Sequence, residues 1–453
     1  MTAHIWQSPS CIEQADCTNS VPETQSVCSE MAIQTTPECY AWIWLAGATE
    51  PVVAGRVFRD GSTLAFEYLA SYFERHDAIS IYGPELPLQP GPIAPLAGMA
   101  LASCIRDAAP DAWGRRVLAS QDLSSGASDL DGAGLDEIAC LLRSGSDRIG
   151  ALDFQSSATS YTPRSPRNAT LARLQDGSQL LQRGVPLTGD LEAALVPSCA
   201  VGGARPKALL SDGERSLIAK FAGMSDSFDI VRTEFLAMRL AHLAGLSVAQ
   251  VELAPVVGQT ALLIERFDRI PGDSGWGRRP MVSGLTLLGL DEMMARYASY
   301  EDFAAIIRDR FRNPLDTLRE LFRRVVFNIL CGNTDDHARN HAAFWDGASL
   351  KLTPAYDICP QSRHGNEASQ AMLIQGEHRE STLARCIAAA STFGLSEAEA
   401  TAIVIDLVDA LKANWDQVCD EAGIDKSSRR QLMRRQFLNP YAFEGLAEDF
   451  TSQ

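Results

Sequence analysis

Leu315, Leu318, Phe322, Val325, Val326, Ile329 and Leu330 recur at spacings of three and four. That is the stripe of a helix with one face turned toward a core. The helix hands the chain directly to Gly332-Asn333-Thr334-Asp335-Asp336-His337-Ala338-Arg339-Asn340, and Tyr356-Asp357-Ile358 follows after a short gap. An acid, an amide five positions on and a second acid beyond a strand-like run are the sequential set that phosphoryl transfer needs. One carboxylate accepts the proton of the attacking hydroxyl, while an amide oxygen and a second carboxylate hold Mg²⁺ against nucleotide phosphates. Protein-kinase catalytic loops place Asn five residues after the base Asp. Asp335 and Asn340 keep that spacing, whereas Asp336 plus five lands on His341. Spacing therefore nominates Asp335 as the base and leaves Asp336 as a solvated neighbour.

Asn, Thr, Asp and His are also ordinary loop residues, and one Asp-x4-Asn occurs often by chance. A zinc alternative exists too, because His337 and His341 stand four apart, as helical ligand pairs do. It lacks the glutamate of His-Glu-x-x-His and leaves Asn340 without a role.

At 453 residues the chain has material for two or three domains. Charged residues make up 21% and hydrophobic ones 46%, a globular balance. The net charge of −17 argues against a chain that wraps nucleic acid by itself. It permits a local basic patch such as Arg429 to Arg435 and a connection to DNA through a basic partner. No run of eighteen apolar residues marks a membrane span, and Met1 to Gln14 lacks the basic start and apolar core of a secretory signal. Eleven cysteines is an odd count. Cys140, Cys331 and Cys386 sit in apolar patterns as small buried hydrophobes. Cys11, Cys17, Cys28 and Cys39 lack Cys-x-x-Cys pairing. A reducing cytoplasm is the compartment expected.

Residues 1–38, rich in Ser, Thr, Gln and Glu, read as a disordered leader, or as sequence upstream of a true start near Met31. Order is expected from the apolar strand Tyr40–Leu45 onward. A hairpin follows, Val52–Arg59 with Ser62–Tyr68 about the Asp60-Gly61 turn. Pro84, Pro87, Pro90, Pro92 and Pro95 then mark a loop. Helical sequence runs through Asp111–Arg116 and 134–143, and a strand ends at Phe154. After a Ser/Thr/Pro-rich linker at 155–168, short helices are expected at 169–183 and 188–195. Strands at Ala208–Leu210 and Ser216–Phe221 flank Asp212-Gly213. A helix at 228–244 stops at Gly245, and strands near 248–254 and 260–266 close a β-rich block. From about 283 onward nearly everything reads as helical. A β-rich block followed by a helical one is the order of a kinase, small lobe then large. The expected division is 39–155 for an N-terminal β-rich subdomain, 156–268 for the kinase N-lobe and 269–453 for a helical C-lobe.

Phosphate-binding parts should precede Asp335, and candidates lie in the β-rich block. Val201-Gly202-Gly203-Ala204-Arg205-Pro206-Lys207 is a glycine-containing loop entering a strand, suited to bring backbone N–H groups close to phosphate oxygens. Turns hold such glycine pairs routinely. Lys220 lies inside the apolar strand Leu217-Ile218-Ala219-Lys220-Phe221, where a buried ammonium is costly unless paired. Phosphates and a helix glutamate would account for it, with Glu234 on the next helix as partner. An edge-strand lysine pointing to water is the competing explanation. Leu262 to Arg269 runs from an apolar strand into a charged segment at the expected lobe junction, where the backbone of Glu265 and Phe267 can hydrogen-bond adenine.

These residues resemble the HipA-type serine/threonine kinases, the toxin members of bacterial type II toxin–antitoxin pairs, over about residues 40–440. The resemblance rests on Leu86-Pro87-Leu88, Pro110-Asp111-Ala112-Trp113-Gly114-Arg115-Arg116, Asp147 to Leu152, Gly203 to Lys207, Ile264 to Arg269, Asn333 to Asn340 and Leu352 to Asp357. It implies an α+β, protein-kinase-like two-lobed fold with an additional N-terminal β-rich subdomain and a mostly helical C-lobe. It implies ATP and Mg²⁺, with transfer of the γ-phosphate to a protein Ser or Thr. By position Asp335 is the base and Asn340 and Asp357 are the Mg²⁺ ligands. Val201, Gly202, Gly203, Ala204, Lys207, Lys220, Glu265, Phe267, His337 and Asn340 are the nucleotide-binding set. The resemblance further implies a translation component such as an aminoacyl-tRNA synthetase as protein substrate. Its implied partner is a small helix-turn-helix, HipB-like antitoxin, with DNA reached only through it and no membrane association.

The chain departs from the family where a self-phosphorylated serine precedes the Val of the phosphate loop. Ala200 stands there, and Ser198, two residues upstream, is the substitute candidate for autophosphorylation. Two other functions remain open at this level. One is a small-molecule phosphotransferase, whose loop would carry His before the base where Thr334 stands. The other is a catalytically weak nucleotide-binding co-repressor of a helix-turn-helix antitoxin.

Overall fold

Alternating apolar and polar positions build the first sheet. Strands β1 (Glu38–Ile43) and β2 (Val52–Asp60) pair antiparallel, and β2 turns at Gly61, φ +60°, into β3 (Thr63–Tyr68). On one face Arg56 bridges Glu38 and Glu67 across the three strands at 3.0 and 2.8 Å. The computed structural model describes residues 37–124, 135–164, 169–187, 189–224, 226–273, 275–363 and 365–446. The expected leader lies almost wholly outside these residues, and β1 already begins at its last position, Glu38.

Two single-turn helices, α1 (Ala70–Phe73) and α2 (Ser103–Arg106), precede α3 (Ala112–Ser124) and α4 (Glu137–Arg143). Asp136 caps α4 by accepting from the Ala139 N–H, a preferred N-terminal device. Strand β4 (Leu152–Gln155) then adds to β1, giving the sheet order β3-β2-β1-β4. Helices α5 (Leu171–Gln182) and α6 (Asp190–Leu195) lead through a 3-10 turn, Val196–Ala200, into a second antiparallel sheet. It consists of β5 (Lys207–Ser211), β6 (Ser216–Lys220), β7 (Val251–Val256) and β8 (Gln259–Glu265) in the order β5-β6-β8-β7. Helix α7 (Ile230–Leu243) links β6 to β7 and stops before Gly245, φ +80°. Trp113 of α3 joins the core beneath this sheet with Leu217, Ala219, Phe221 and Leu263, and its Nε1 donates to the Lys207 carbonyl at 3.2 Å. The N-terminal segment thus braces the strand that leaves the phosphate loop.

The C-terminal half corrects the expectation of near-continuous helix after 283. A small ribbon, β9 (Arg269–Gly272) with β10 (Gly275–Arg278), precedes β11 (Met281–Ser283), which pairs with β12 (Ala342–Trp345) and β13 (Leu350–Leu352) in a three-stranded sheet. The described residues of 353–382 hold no regular helix either. Around them stand α8 (Gly284–Leu287), α9 (Tyr300–Arg310), α10 (Pro314–Cys331), α11 (Leu383–Ala388), α12 (Glu397–Glu421) and α13 (Lys426–Arg435). Helix α10 buries Leu318, Phe322, Val325, Val326, Ile329 and Leu330 as their spacing requires, although Leu315 is exposed. Helix α12 starts on a Ser396/Glu399 capping box and packs against α7 and α10. Among the described residues no helix is long and apolar enough to cross a membrane.

Candidate active site

Gly332 ends α10 in the left-handed region, φ +72°, with its N–H bonded to the Asn328 and Ile329 carbonyls. This C-cap turns the chain sharply into the polar loop. Asn333 then locks the loop to the helix. Its N–H donates to Asn328 O at 2.8 Å and its Nδ2 to Asn328 Oδ1 at 3.0 Å. The two adjacent acids point opposite ways. Asp335 is exposed, whereas Asp336 is buried, accepts from the Tyr300 hydroxyl and lies 3.1 Å from His341 Nε2. Asp336 is therefore no solvated neighbour: it anchors the loop inside the C-terminal core. His341 is engaged there, and among the described residues no three His, Cys, Asp or Glu side chains converge as a metal cluster. The His337–His341 zinc pair finds no third ligand of that kind.

Asn340 and Asp357 come together across β12 and β13. Asn340 Nδ2 donates to Asp357 Oδ2 at 3.0 Å, and Asn340 Oδ1 is buried with no hydrogen-bond partner among the described residues. A buried amide oxygen without a donor is costly, and beside a carboxylate it fits a hard cation with oxygen ligands such as Mg²⁺. Asp357 holds φ at +59°, one of two non-glycine residues with positive φ among the described residues. Such strain concentrates where surrounding structure must aim a functional group.

Lys220 closes the other side. Strand β6 is interior to its sheet, so the edge-strand explanation fails. Its Nζ lies 2.6 Å from Glu234 Oε1 on α7 and also pairs with Asp357 Oδ1. Burial works against the charge on Lys220, but Asp357 and Glu234 outweigh it and raise its pKa. Burial likewise pushes Asp357 up, and Lys220 outweighs it, holding that carboxyl well below its usual range. Burial raises Asp335, with His337 opposing and the Asp357 charge reinforcing. Asp335 thus lies within the field of the Asp357 site.

The phosphate loop leaves Gly202, Gly203 and Ala204 exposed, while Val201 and Lys207 are buried. Gly203 sits at φ +108°, and a Cβ there would collide with Lys207 Nζ. That nitrogen donates to the Gly202 carbonyl, and the Gly203 N–H donates to Asp111 Oδ2. The loop is therefore a glycine cradle whose Gly203 N–H is already occupied by a carboxylate. Burial pushes Asp111 up to about 6, against the pull of Lys207 and Arg339. Burial lowers Lys207 to about 8, against Asp111. Asp111 belongs to the Pro110–Arg116 motif, but nothing local to that motif announces a contact 92 residues away.

At the lobe junction the Glu265 N–H, an expected adenine donor, is taken by Gln250 O at 2.9 Å. The Phe267 ring packs 5.8 Å from Tyr356 and 5.9 Å from Phe344, beside Asp357 in sequence. The charged residues around it form a buckle. Arg266 and Arg269 both pair with Asp147 and Asp268, and Arg266 Nη2 reaches Arg148 O at 2.6 Å. The Asp147–Leu152 and Ile264–Arg269 motifs are thus two halves of one buried ionic joint. Ser198 is fully buried in the 3-10 turn, its Oγ accepting from Leu209 N at 2.9 Å. Its phosphorylation would require that turn to come out.

Residues 199–415 match the family model described as HipA-like C-terminal domain, and residues 44–155 match HipA N-terminal domain. The serine/threonine-protein kinase toxin HipA of Shewanella oneidensis is 29% identical over 209 residues, covering 40% of this chain and 48% of that protein. The alignment so spans about half the length of that relative. A chain from the solved complex of the Shewanella oneidensis MR-1 toxin–antitoxin system HipA, HipB and its operator DNA superposes with a TM-score of 0.64. It covers 90% of this chain and 99% of that chain at 20% identity, a likeness of fold.

Proposed function

The chain belongs to the HipA-type family, and on that premise we propose that it is an ATP-dependent serine/threonine protein kinase, the toxin of a toxin–antitoxin pair. The observation that carries this reading is the convergence on Asp357. Lys220, itself paired to Glu234, touches one of its carboxylate oxygens, and Asn340 touches the other.

In this reading Asp335 accepts the proton of a substrate Ser or Thr hydroxyl as that oxygen attacks the γ-phosphorus. Its exposure lets a protein hydroxyl reach it, and its raised pKa makes it the better base. Mg²⁺, held by Asn340 Oδ1 and Asp357, would supply neutralisation of charge on the phosphate oxygens. Lys220 leaves Asp357 for the α- and β-phosphates while Glu234 keeps it oriented. The Gly202 and Ala204 N–H groups, and that of Gly203 once Asp111 yields it, meet the phosphates, while the Val201 N–H is held by Ser198 O; Lys207 adds charge beneath them, and His337 lies within electrostatic reach of Asp335 and Asp357. Phe267 and the Glu265 carbonyl face the base.

The partners follow from the same premise: a HipB-like helix-turn-helix antitoxin, with operator DNA reached through it, and a translation component such as an aminoacyl-tRNA synthetase as substrate in the cytoplasm. The net charge of −17 supports contact with DNA through a basic partner rather than alone. The test is transfer of label from γ-³²P-ATP to candidate synthetases or to the protein itself. Transfer is expected from the wild type and lost in Asp335→Asn; undiminished transfer in that variant would sink the assignment.

A further inference from the structure

Two cations beside the cradle are committed. Lys220 is paired with Glu234 and Asp357, and Lys207 is folded under the loop against Gly202 O. Another, Arg205, follows the cradle directly, between Ala204 and Pro206. Its Nη1 lies 2.9 Å from Asp226 Oδ1, and its side chain is 36% exposed. Asp226 is its one ion-pair partner among the described residues. Asp226 is fixed in turn, because its other oxygen accepts from the Gly223 N–H at 2.6 Å just after β6. The guanidinium is thus suspended from the loop that follows the Lys220 strand. From there its charge reaches Asp335, Glu234 and Cys359, the residue two beyond Asp357. Arg205 thus stands two residues before Lys207, whose cross-strand partner is Lys220.

We propose that Arg205 is a catalytic residue that contacts the γ-phosphoryl group during transfer, with Asp226 as its positioning residue. The inference rests on the kinase reading above. In that step the substrate oxygen bonds to the γ-phosphorus and the bond from phosphorus to the β,γ-bridging oxygen breaks. The electron pair leaves with ADP, and the hydroxyl proton passes to Asp335. Charge spreads over the three equatorial oxygens of the transferring group. A planar guanidinium with five N–H donors can follow it, whereas Lys220 is engaged with the α- and β-phosphates. Asp226 takes one of those nitrogens, which orients the fork without closing it. An arginine supplied to such a transition state is worth about 10³ to 10⁵ in kcat.

The test uses the full chain with Mg²⁺ and measures calorimetric affinity for ADP and for ADP with aluminium fluoride, a mimic of the transferring group. In the wild type the fluoride complex binds more tightly than ADP. Arg205→Gln is expected to keep ADP affinity within about twofold and to lose most of the extra affinity for the fluoride complex, with kcat falling on the order of 10³-fold. Asp226→Asn should move both readouts the same way by less. If Arg205→Gln proves unstable, Arg205→Lys keeps the charge without the fork and should show the same selective loss. Unchanged affinity for both complexes, or equal loss for both, would overturn the role of Arg205 and leave the kinase reading standing. Failure of the wild type to bind either nucleotide would instead remove the kinase reading itself.

Discussion

Lys220 Nζ lies 2.6 Å from Glu234 Oε1, joining β6 to α7 beneath Asp357. Both side chains are buried, so each is tolerable only because the other is present. Glu234→Ala leaves Lys220 with Asp357 alone and is expected to destabilise the protein by about 3 kcal/mol, at the low end of the range for breaking a buried pair. Urea denaturation measures this. The double variant Lys220→Met, Glu234→Leu should recover most of the stability while losing nucleotide binding. A double variant as unstable as Glu234→Ala would contradict the pairing argument.

Asp335 and Asp336 should separate chemistry from folding. Asp335→Asn is expected to abolish label transfer with an unchanged melting temperature. Asp336→Ala strands the Tyr300 hydroxyl inside the core and should cost about 2 kcal/mol. Burial pushes Asp336 up, but His341 and Tyr300 outweigh it and hold its pKa below the usual 3.8. A depressed carboxylate contributes stability that is full above its unfolded pKa and is lost as pH falls through the folded value. The gap between wild type and Asp336→Ala should therefore narrow below about pH 3.9, as read by thermal melts across pH.

Lys207 predicts a dependence at the alkaline end. Burial lowers its pKa from 10.5 to about 8. Between those values the unfolded chain binds more protons than the folded one, so this group makes stability rise with pH across the window. Nucleotide phosphates need the charged form, so ADP affinity should fall above pH 8 and binding should take up a proton there. Calorimetry at pH 9 in two buffers of different ionisation enthalpy measures that uptake. Lys207→Arg should abolish it.

Gly114 couples the N-terminal segment to the nucleotide side. A Cβ at this position would land on the Cys199 carbonyl in the turn that precedes Val201. Gly114→Ala should cost about 1–3 kcal/mol as overpacking and should also weaken ADP binding, because the turn carries the phosphate loop. Normal ADP affinity in a destabilised Gly114→Ala protein would show that the turn and the loop move independently.

What was legible locally came out as its periodicity required. The α10 stripe, the Asp60-Gly61 and Asp212-Gly213 turns, and the stop at Gly245 each depend on neighbours within a few residues. The buried cysteines Cys140, Cys331 and Cys386 followed from the same patterns. The sheet β11-β12-β13 did not, because strands of three or four residues are too short to show a period of two. Met281 finds its partner Phe344 far along the chain.

The sequence by itself determined the fold class and nominated an ordered set of residues: Gly202–Gly203, Lys220, Asp335, Asn340 and Asp357. Only the tertiary structure decided how they face one another. It turned Asp336 inward to Tyr300, set Asp111 against Gly203 N–H, buried Ser198 and suspended Arg205 from Asp226. The physical reason is range. Helix and turn preferences act over a few residues along the chain, whereas the direction of a charged side chain is set by whichever partner the packed core brings within hydrogen-bond distance.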